Sequence, residues 1–196
     1  LAYKHMTKYN SSKGMTLTPV PLEFDYIFDT VPAGRVQMFA KRGIYEGEFV
    51  QVDANGLYQY IALTYTEPDG PAYWFNTFHE FKESSNPKEL FLVECSVDQS
   101  SLRIKLVGQK QKDECIDWCC DIIESCWLWG EEIEMLESLN CTVIKRSVLA
   151  WSKAIKPFEV MNVYKDIRLK EKAEGRDGGV IDLMAKLMIN AITGKT

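Results

Sequence analysis

Strand-type and helix-type apolar runs follow one another along this chain without regular alternation, and that order constrains the fold more than any other feature. Between residues 73 and 148 the apolar runs are short, as strands are: Tyr73-Trp74-Phe75, Leu90-Phe91-Leu92-Val93, Trp127-Leu128-Trp129 and the stretch 141–148. Residues 102–107 alternate apolar and basic (Leu102, Arg103, Ile104, Lys105, Leu106, Val107), which predicts a half-exposed strand. A helix is expected over 131–139, with Ile133, Leu136 and Leu139 on one face. Beyond Phe158 the spacing becomes helical: one helix through Phe158, Met161, Val163, Tyr164, Ile167 and Arg168, a glycine-containing break at 175–179, and a second helix over 180–192. Doubly wound sheets need strands and helices in strict alternation, so the expected fold class is α+β.

The first third is less regular. Residues 1–34 carry Asn10-Ser11-Ser12-Lys13-Gly14, Pro19, Pro21, Pro32 and Gly34, a linker-like composition with one apolar island at 24–28. From Arg35 the texture changes: 36–40 reads as a strand, 43–47 as a turn, and 49–52 as a second strand running into Asp53. Asn55-Gly56 breaks that run, and 57–63 reads as a short helix.

A length of 196 residues suffices for a real core, with one domain or one domain plus a small subdomain expected. Apolar content of 46% argues against disorder, and the formal charge of −5 gives no global footprint for nucleic acid, though a cleft can be basic within an acidic protein. The chain starts at Leu1, with no signal segment and no apolar run of about 18 residues, so it reads as soluble and as a piece of something longer. Six cysteines without a C-x-x-C pair, beside only His5 and His79, fit reduced, mostly buried thiols in a reducing compartment better than structural zinc.

Two short strings carry chemistry. In Val52-Asp53-Ala54-Asn55-Gly56-Leu57-Tyr58 a lone carboxylate ends a strand-like run. Such an aspartate either caps the following turn with its own side chain or binds a hard divalent cation such as Mg²⁺, which takes one or two carboxylates plus substrate phosphates. In the run 183–191, Leu183, Leu187, Asn190 and Ala191 share a stripe, with Lys186 and Asn190 projecting together. One reading is an amphipathic core helix with a snorkelling lysine; the other is a helix whose lysine meets phosphates. Upstream, Lys165, Arg168, Lys170, Lys172 and Arg176 make a locally basic run, either a solvated face or a surface that tracks a nucleic-acid strand. The ending Thr193-Gly194-Lys195-Thr196 imitates a P-loop tail, but the earlier glycine that motif requires falls on Ile189.

Asp53-Ala54-Asn55-Gly56-Leu57-Tyr58 resembles the D-x-N-S-L-Y-P string of family B DNA polymerases of the protein-primed branch, found in phages and linear plasmids. Lys186-Leu187-Met188-Ile189-Asn190-Ala191-Ile192-Thr193-Gly194 resembles that family's K-L-x-x-N-S-x-Y-G string, matching at Lys186, Leu187, Asn190 and Gly194. Val31-Pro32-Ala33-Gly34, followed by Arg35, resembles the Y-x-G-G/A turn between exonuclease and polymerase that meets the template, without its tyrosine. The element 126–136 looks like the strand-to-helix step after the insertion that contacts the priming protein. Departures fall at Gly56, Gln59, Ala191 and Thr193, where the family has serine, proline, serine and tyrosine.

The resemblance implies a partial palm of antiparallel strands with helices, an inserted subdomain and the start of the fingers. It divides the chain into 1–34 (linker, or end of an exonuclease-side region), 35–100 (palm with the first metal motif), 101–157 (inserted region and palm return) and 158–196 (fingers). It implies Mg²⁺-dependent addition of dNTPs to DNA in protein-primed replication, with template–primer DNA, dNTP and a terminal protein as partners. Asp53 would be the catalytic metal ligand, with the Ala54 carbonyl as a backbone ligand. Tyr58 would gate against a 2′-hydroxyl, and Lys186 and Asn190 would meet the nucleotide. Gly34, Arg35, Lys170, Lys172 and Arg176 would contact DNA. The second palm aspartate of the two-metal site is not in these residues, so the fragment is expected to be inactive alone. The sequence names no compartment; a reducing one would be a host cytoplasm, or a mitochondrion for an organellar linear plasmid. A degenerate, non-catalytic polymerase relic that binds nucleic acid or protein is the alternative.

Overall fold

The computed structural model describes residues 2–15, 24–28, 43–44, 46–48, 50, 57–64, 66–86, 88–111 and 115–193. The chain divides into two compact units. One comprises Leu1–Thr18, Gly47–Asp69 and Ala154–Thr196, the other Pro19–Glu46 and Gly70–Lys153. In chain order the elements are α1 (Ala2–Ser12), α2 (Asp25–Phe28), α3 (Leu57–Thr64), β1 (Glu67–Phe75), α4 (Phe78–Glu83), β2 (Leu90–Asp98), β3 (Gln109–Lys110), β4 (Ile116–Asp117), β5 (Ile122–Trp129), α5 (Gly130–Ser138), β6 (Thr142–Ile155), α6 (Val160–Ala173) and α7 (Val180–Thr193). Helices and an antiparallel sheet are mixed without alternation, and the fold class is α+β. The expected strands at 36–40 and 49–52, and Gly34, Arg35, Asp53 and Ala54, lie outside the described residues, apart from Val50.

The second unit is built on a four-stranded sheet in the order β1-β6-β2-β5, with β2 antiparallel to both β5 and β6. β1 contains Pro68 and Pro71, which cannot donate to a ladder, and it occupies an edge. Alternate residues of the central strands are buried on opposite faces. Val93, Cys95, Val97, Leu128, Val148 and Ala150 pack with Phe81 of α4 and with Ile133 and Leu136 of α5. Leu92, Trp127, Leu149 and Trp151 pack with Ile27 of α2. Each valine, leucine, isoleucine and phenylalanine among them contributes about 1.5–3 kcal/mol when fully buried. Cys95 pairs with Cys126 while Val97 pairs with Ile123, so β5 carries one extra residue, and this bulge keeps both Ile123 and Cys126 in the first cluster.

Three expectations change here. Residues 102–107 are not a strand. The buried side chain of Gln99 takes the place of a neighbouring strand: its Oε1 accepts from Leu106 N at 2.9 Å and Val107 N at 3.1 Å, while its Nε2 donates to Val107 O at 2.8 Å and Cys120 O at 3.0 Å. Lys105 reaches back to Gln99 O at 3.0 Å and pairs with Asp121, so the alternation reflects anchoring rather than a sheet face. In α5, Ile133 and Leu136 are buried but Leu139 is the C-cap and 42% exposed. Asn140 then turns the chain with φ 62°, a left-handed conformation that asparagine tolerates, and Cys141 N closes on Leu136 O at 3.0 Å. The linker-like start folds as α1, which seats Met6 in the core of the first unit.

That first unit is helical. Its core joins Met6 of α1, Phe158, then Val160, Met161 and Tyr164 of α6, and Ala185, Ile189 and Ile192 of α7, with Ala62 and Leu63 of α3 packed against them. α6 and α7 form a hairpin whose turn carries Gly175 at φ 74° and Gly178 at φ 76°, both left-handed and both favouring glycine. Arg176 N closes the turn on Glu171 O at 2.8 Å.

Candidate nucleotide-facing helix pair

α3 begins immediately after Asn55-Gly56, and it packs on α7 within the first unit. The helix that follows the Asp53 string therefore lies against the helix that carries Lys186. Their polar contact is specific: Gln59 Nε2 donates to Asn190 Oδ1 at 3.4 Å, across 131 residues of sequence. Gln59 stands where the resembled family has proline, which has no side-chain donor.

The stripe of Leu183, Leu187 and Asn190 is not the core face of α7. Asp182, Ala185, Ile189 and Ile192 are buried, whereas Leu183 is 49% and Leu187 67% exposed. Lys186 and Asn190 thus stand on the outer face, flanked by exposed leucines and by exposed Val180 and Met184. A cation beside apolar surface can meet a ligand that is charged at one end and flat at the other. The side chains of Tyr58 and Thr193 lie outside the described ones.

The buried Asp182 explains why Lys186 keeps its charge available. Asp182 is one helical turn before Lys186, the usual spacing for an ion pair. Its carboxylate is instead taken by Arg168 of α6, Nε to Oδ1 at 2.7 Å, and by Gly178 N at 3.3 Å. The Arg168 guanidinium, then the Gly178 amide, hold that carboxyl below the usual range, against the opposing effect of burial. No ion pair involves Lys186 among the described residues.

Three of the five cations in the basic run of α6 and the turn after it, Arg168, Lys172 and Arg176, are ion-paired. Arg176 makes a bidentate pair with Glu171 (Nε–Oε2 2.8 Å, Nη2–Oε1 2.7 Å) and also bonds Glu174. Those contacts raise the Arg176 pKa, and Arg176 in turn holds the Glu171 carboxyl below its ordinary value. Lys172 lies 3.7 Å from Asp177. Lys165 and Lys170 are exposed and make no ion pair among the described residues. The signal for this was legible: Asp166, Glu171 and Glu174 are interleaved with these cations, and Asp177 and Asp182 follow them. Among the described residues no group of three or more His, Cys, Asp and Glu side chains could hold a metal ion, and no helix is long and apolar enough to cross a membrane.

No protein-family model matches the chain, and no curated protein matches it. Solved structures do. Phi29 DNA polymerase in an orthorhombic crystal form is similar with a TM-score of 0.55 and 19% identity, over 73% of this chain and 25% of that one. Phi29 DNA polymerase complexed with primer-template DNA is similar with a TM-score of 0.59 and 16% identity, over 96% of this chain and 33% of that one. The chain spans a quarter to a third of the length of those it matches, and it has a fold like that part of a DNA polymerase.

Proposed function

We propose that this chain is part of a DNA-directed DNA polymerase of the protein-primed family B type, holding the nucleotide-facing half of its active site. The observation that supports the reading is the packing of α3 on α7, with Ala62 and Leu63 against the cluster of Ala185, Ile189 and Ile192, which puts the helix that follows Asp53 beside the helix bearing Lys186. Both belong to one compact unit, in a fold similar to a polymerase that has been solved with primer-template DNA.

In this reading Lys186 neutralises the β- and γ-phosphates of an incoming dNTP. An exposed ammonium without an acidic partner among the described residues is suited to that, because no internal ion pair has to break first. Asn190 is a neighbour of the nascent base pair, and Tyr58 stands against a ribose 2′-hydroxyl. Asp53 and the Ala54 carbonyl would hold Mg²⁺. The metal would supply charge neutralisation at the reacting phosphate. Among the described residues expected to contact DNA, Lys170 makes no ion pair, whereas the Arg176 charge is met by Glu171 and Glu174 and Lys172 lies 3.7 Å from Asp177. A terminal protein would be a further partner, by the same resemblance.

Titration of the chain with dATP and Mg²⁺, followed by calorimetry, tests this. Binding should weaken at least about tenfold in Lys186→Ala, the size of a lost charge-assisted contact, and should survive in Lys153→Ala. Binding that ignores Lys186, or no binding at all, overturns the nucleotide role and favours the relic. In a protein carrying the remaining polymerase sequence, Asp53→Ala should abolish template-directed incorporation.

A further inference from the structure

The sheet holds a pair of thiols that the proposed polymerase chemistry does not use. Cys95 of β2 and Cys126 of β5 are register partners on adjacent antiparallel strands, and both are buried. Their sulfurs lie 3.8 Å apart, and Cys126 Sγ is also 3.7 Å from Cys95 O. Directly opposed residues in a regular antiparallel pair have Cα atoms about 4.5–5.5 Å apart, within the span a disulfide bridges, and because a bulge adjoins this pair, joining the sulfurs takes side-chain rotation with a local adjustment of the strands. None of the six cysteines is in a disulfide.

We propose that Cys95 and Cys126 form a site of reversible oxidation, closed to an intramolecular disulfide by a small disulfide oxidant. One thiol, as its thiolate, attacks the oxidant R–S–S–R; a protein–S–S–R bond forms and RS⁻ leaves, to be protonated to RSH. The second thiol, again as thiolate, attacks the protein sulfur of that mixed disulfide and expels the second RS⁻. The pair of cysteines loses two electrons and two protons, and the oxidant leaves as two RSH.

Access decides the rate. β5 is an edge strand of the sheet, so Cys126 is uncovered when that edge opens, whereas Cys95 sits on the inner strand β2. Hydrogen bonding to Cys95 and then burial push the Cys126 thiol up, which keeps it protonated and makes closure slow while the sheet stays shut. Once formed, the bond would fasten the edge strand that runs directly into α5, closing a loop between residues 31 apart in sequence.

The test incubates the whole chain with oxidised glutathione, blocks remaining thiols, and digests with trypsin plus a glutamate-specific protease. Cleavage after Glu94, Arg103, Glu124 and Glu131 separates residues 95–103 from 125–131. The expected product is those two peptides linked, two hydrogens lighter than their sum. Backbone amides of β5 should exchange more slowly in the oxidised protein and return to the starting rate with dithiothreitol. A Cys126→Ser chain should show neither change, and the wild-type peptide map reads the site independently of how well that variant folds. Persistence of both thiols while exposed Cys119 is glutathionylated, or linkage of either partner to Cys141, overturns the proposal.

Discussion

At the scale of single residues, the informative groups are the carboxylates that arginines of the α6–α7 hairpin hold. The Asp182 carboxyl is held below its ordinary value mainly by Arg168, and Glu171 mainly by Arg176. A folded-state pKa below the unfolded one contributes stability that is present above the unfolded value, and it is lost as pH falls through the folded one. Stability of the helical unit should therefore decline from about pH 5 downward. Asp182→Asn should be less stable than wild type at neutral pH and lose less on acidification, read as urea midpoints by circular dichroism. Equal acid sensitivity in the variant would refute the assignment. Gln59 gives a prediction of another kind. Its bond to Asn190 is exposed and 3.4 Å long, so Gln59→Leu should cost under about 1 kcal/mol of stability while shifting the Asn190 side-chain amide resonance in an NMR spectrum.

Among the elements, those legible in the sequence bury a continuous apolar run locally, and those missed depend on a distant group. β2, residues 127–129 of β5, α5 and α7 are readable because their own side chains supply the core, whereas 122–126 of β5, where Glu124 and Ser125 interrupt the apolar run, is not. α1 is not, since one buried methionine in a polar segment becomes a helix only when α6 and α7 provide the rest of the cluster. The segment 102–107 fails for a similar reason: the Gln99 amide satisfies its backbone, and nothing in the alternating pattern announces that. Removing that amide in Gln99→Ala should cost about 2–3 kcal/mol, because the buried Val107 amide and carbonyl lose their partner. Thermal unfolding reads the loss, and a cost below about 0.5 kcal/mol would show that water replaces the side chain. Gly130 is a second such case. A Cβ there would come within 2.4 Å of the Phe91 ring, so Gly130→Ala should destabilise by about 1–3 kcal/mol although alanine favours helices. For the candidate site, the lysine and asparagine were visible as a local pair. Their exposure, the withdrawal of Asp182 into a pair with Arg168, and the Gln59 contact all depend on tertiary packing.

For the molecule as a whole, the physical consequence is that two cores are assembled from interleaved stretches of one chain. The helical core draws on α1, α3, α6 and α7, and the sheet unit on Pro19–Glu46 and Gly70–Lys153, with one apolar cluster on each face of the sheet. Each buries its own apolar cluster, so each should have its own local stability. Ile189→Ala removes a buried side chain from the helical core and should cost about 2–4 kcal/mol, as should Leu136→Ala in the sheet unit. Native-state hydrogen exchange separates the two effects. Ile189→Ala should speed exchange of α6 and α7 amides while leaving β2 at its wild-type rate, and Leu136→Ala should do the reverse. Were either substitution to accelerate both sets equally, the chain would open as one cooperative body, and the α3–α7 helix pair could not loosen or tighten independently of the sheet. With separate openings, the proposed nucleotide role predicts that dATP slows exchange in α7 more than in β2, since binding stabilises only the states that retain the site.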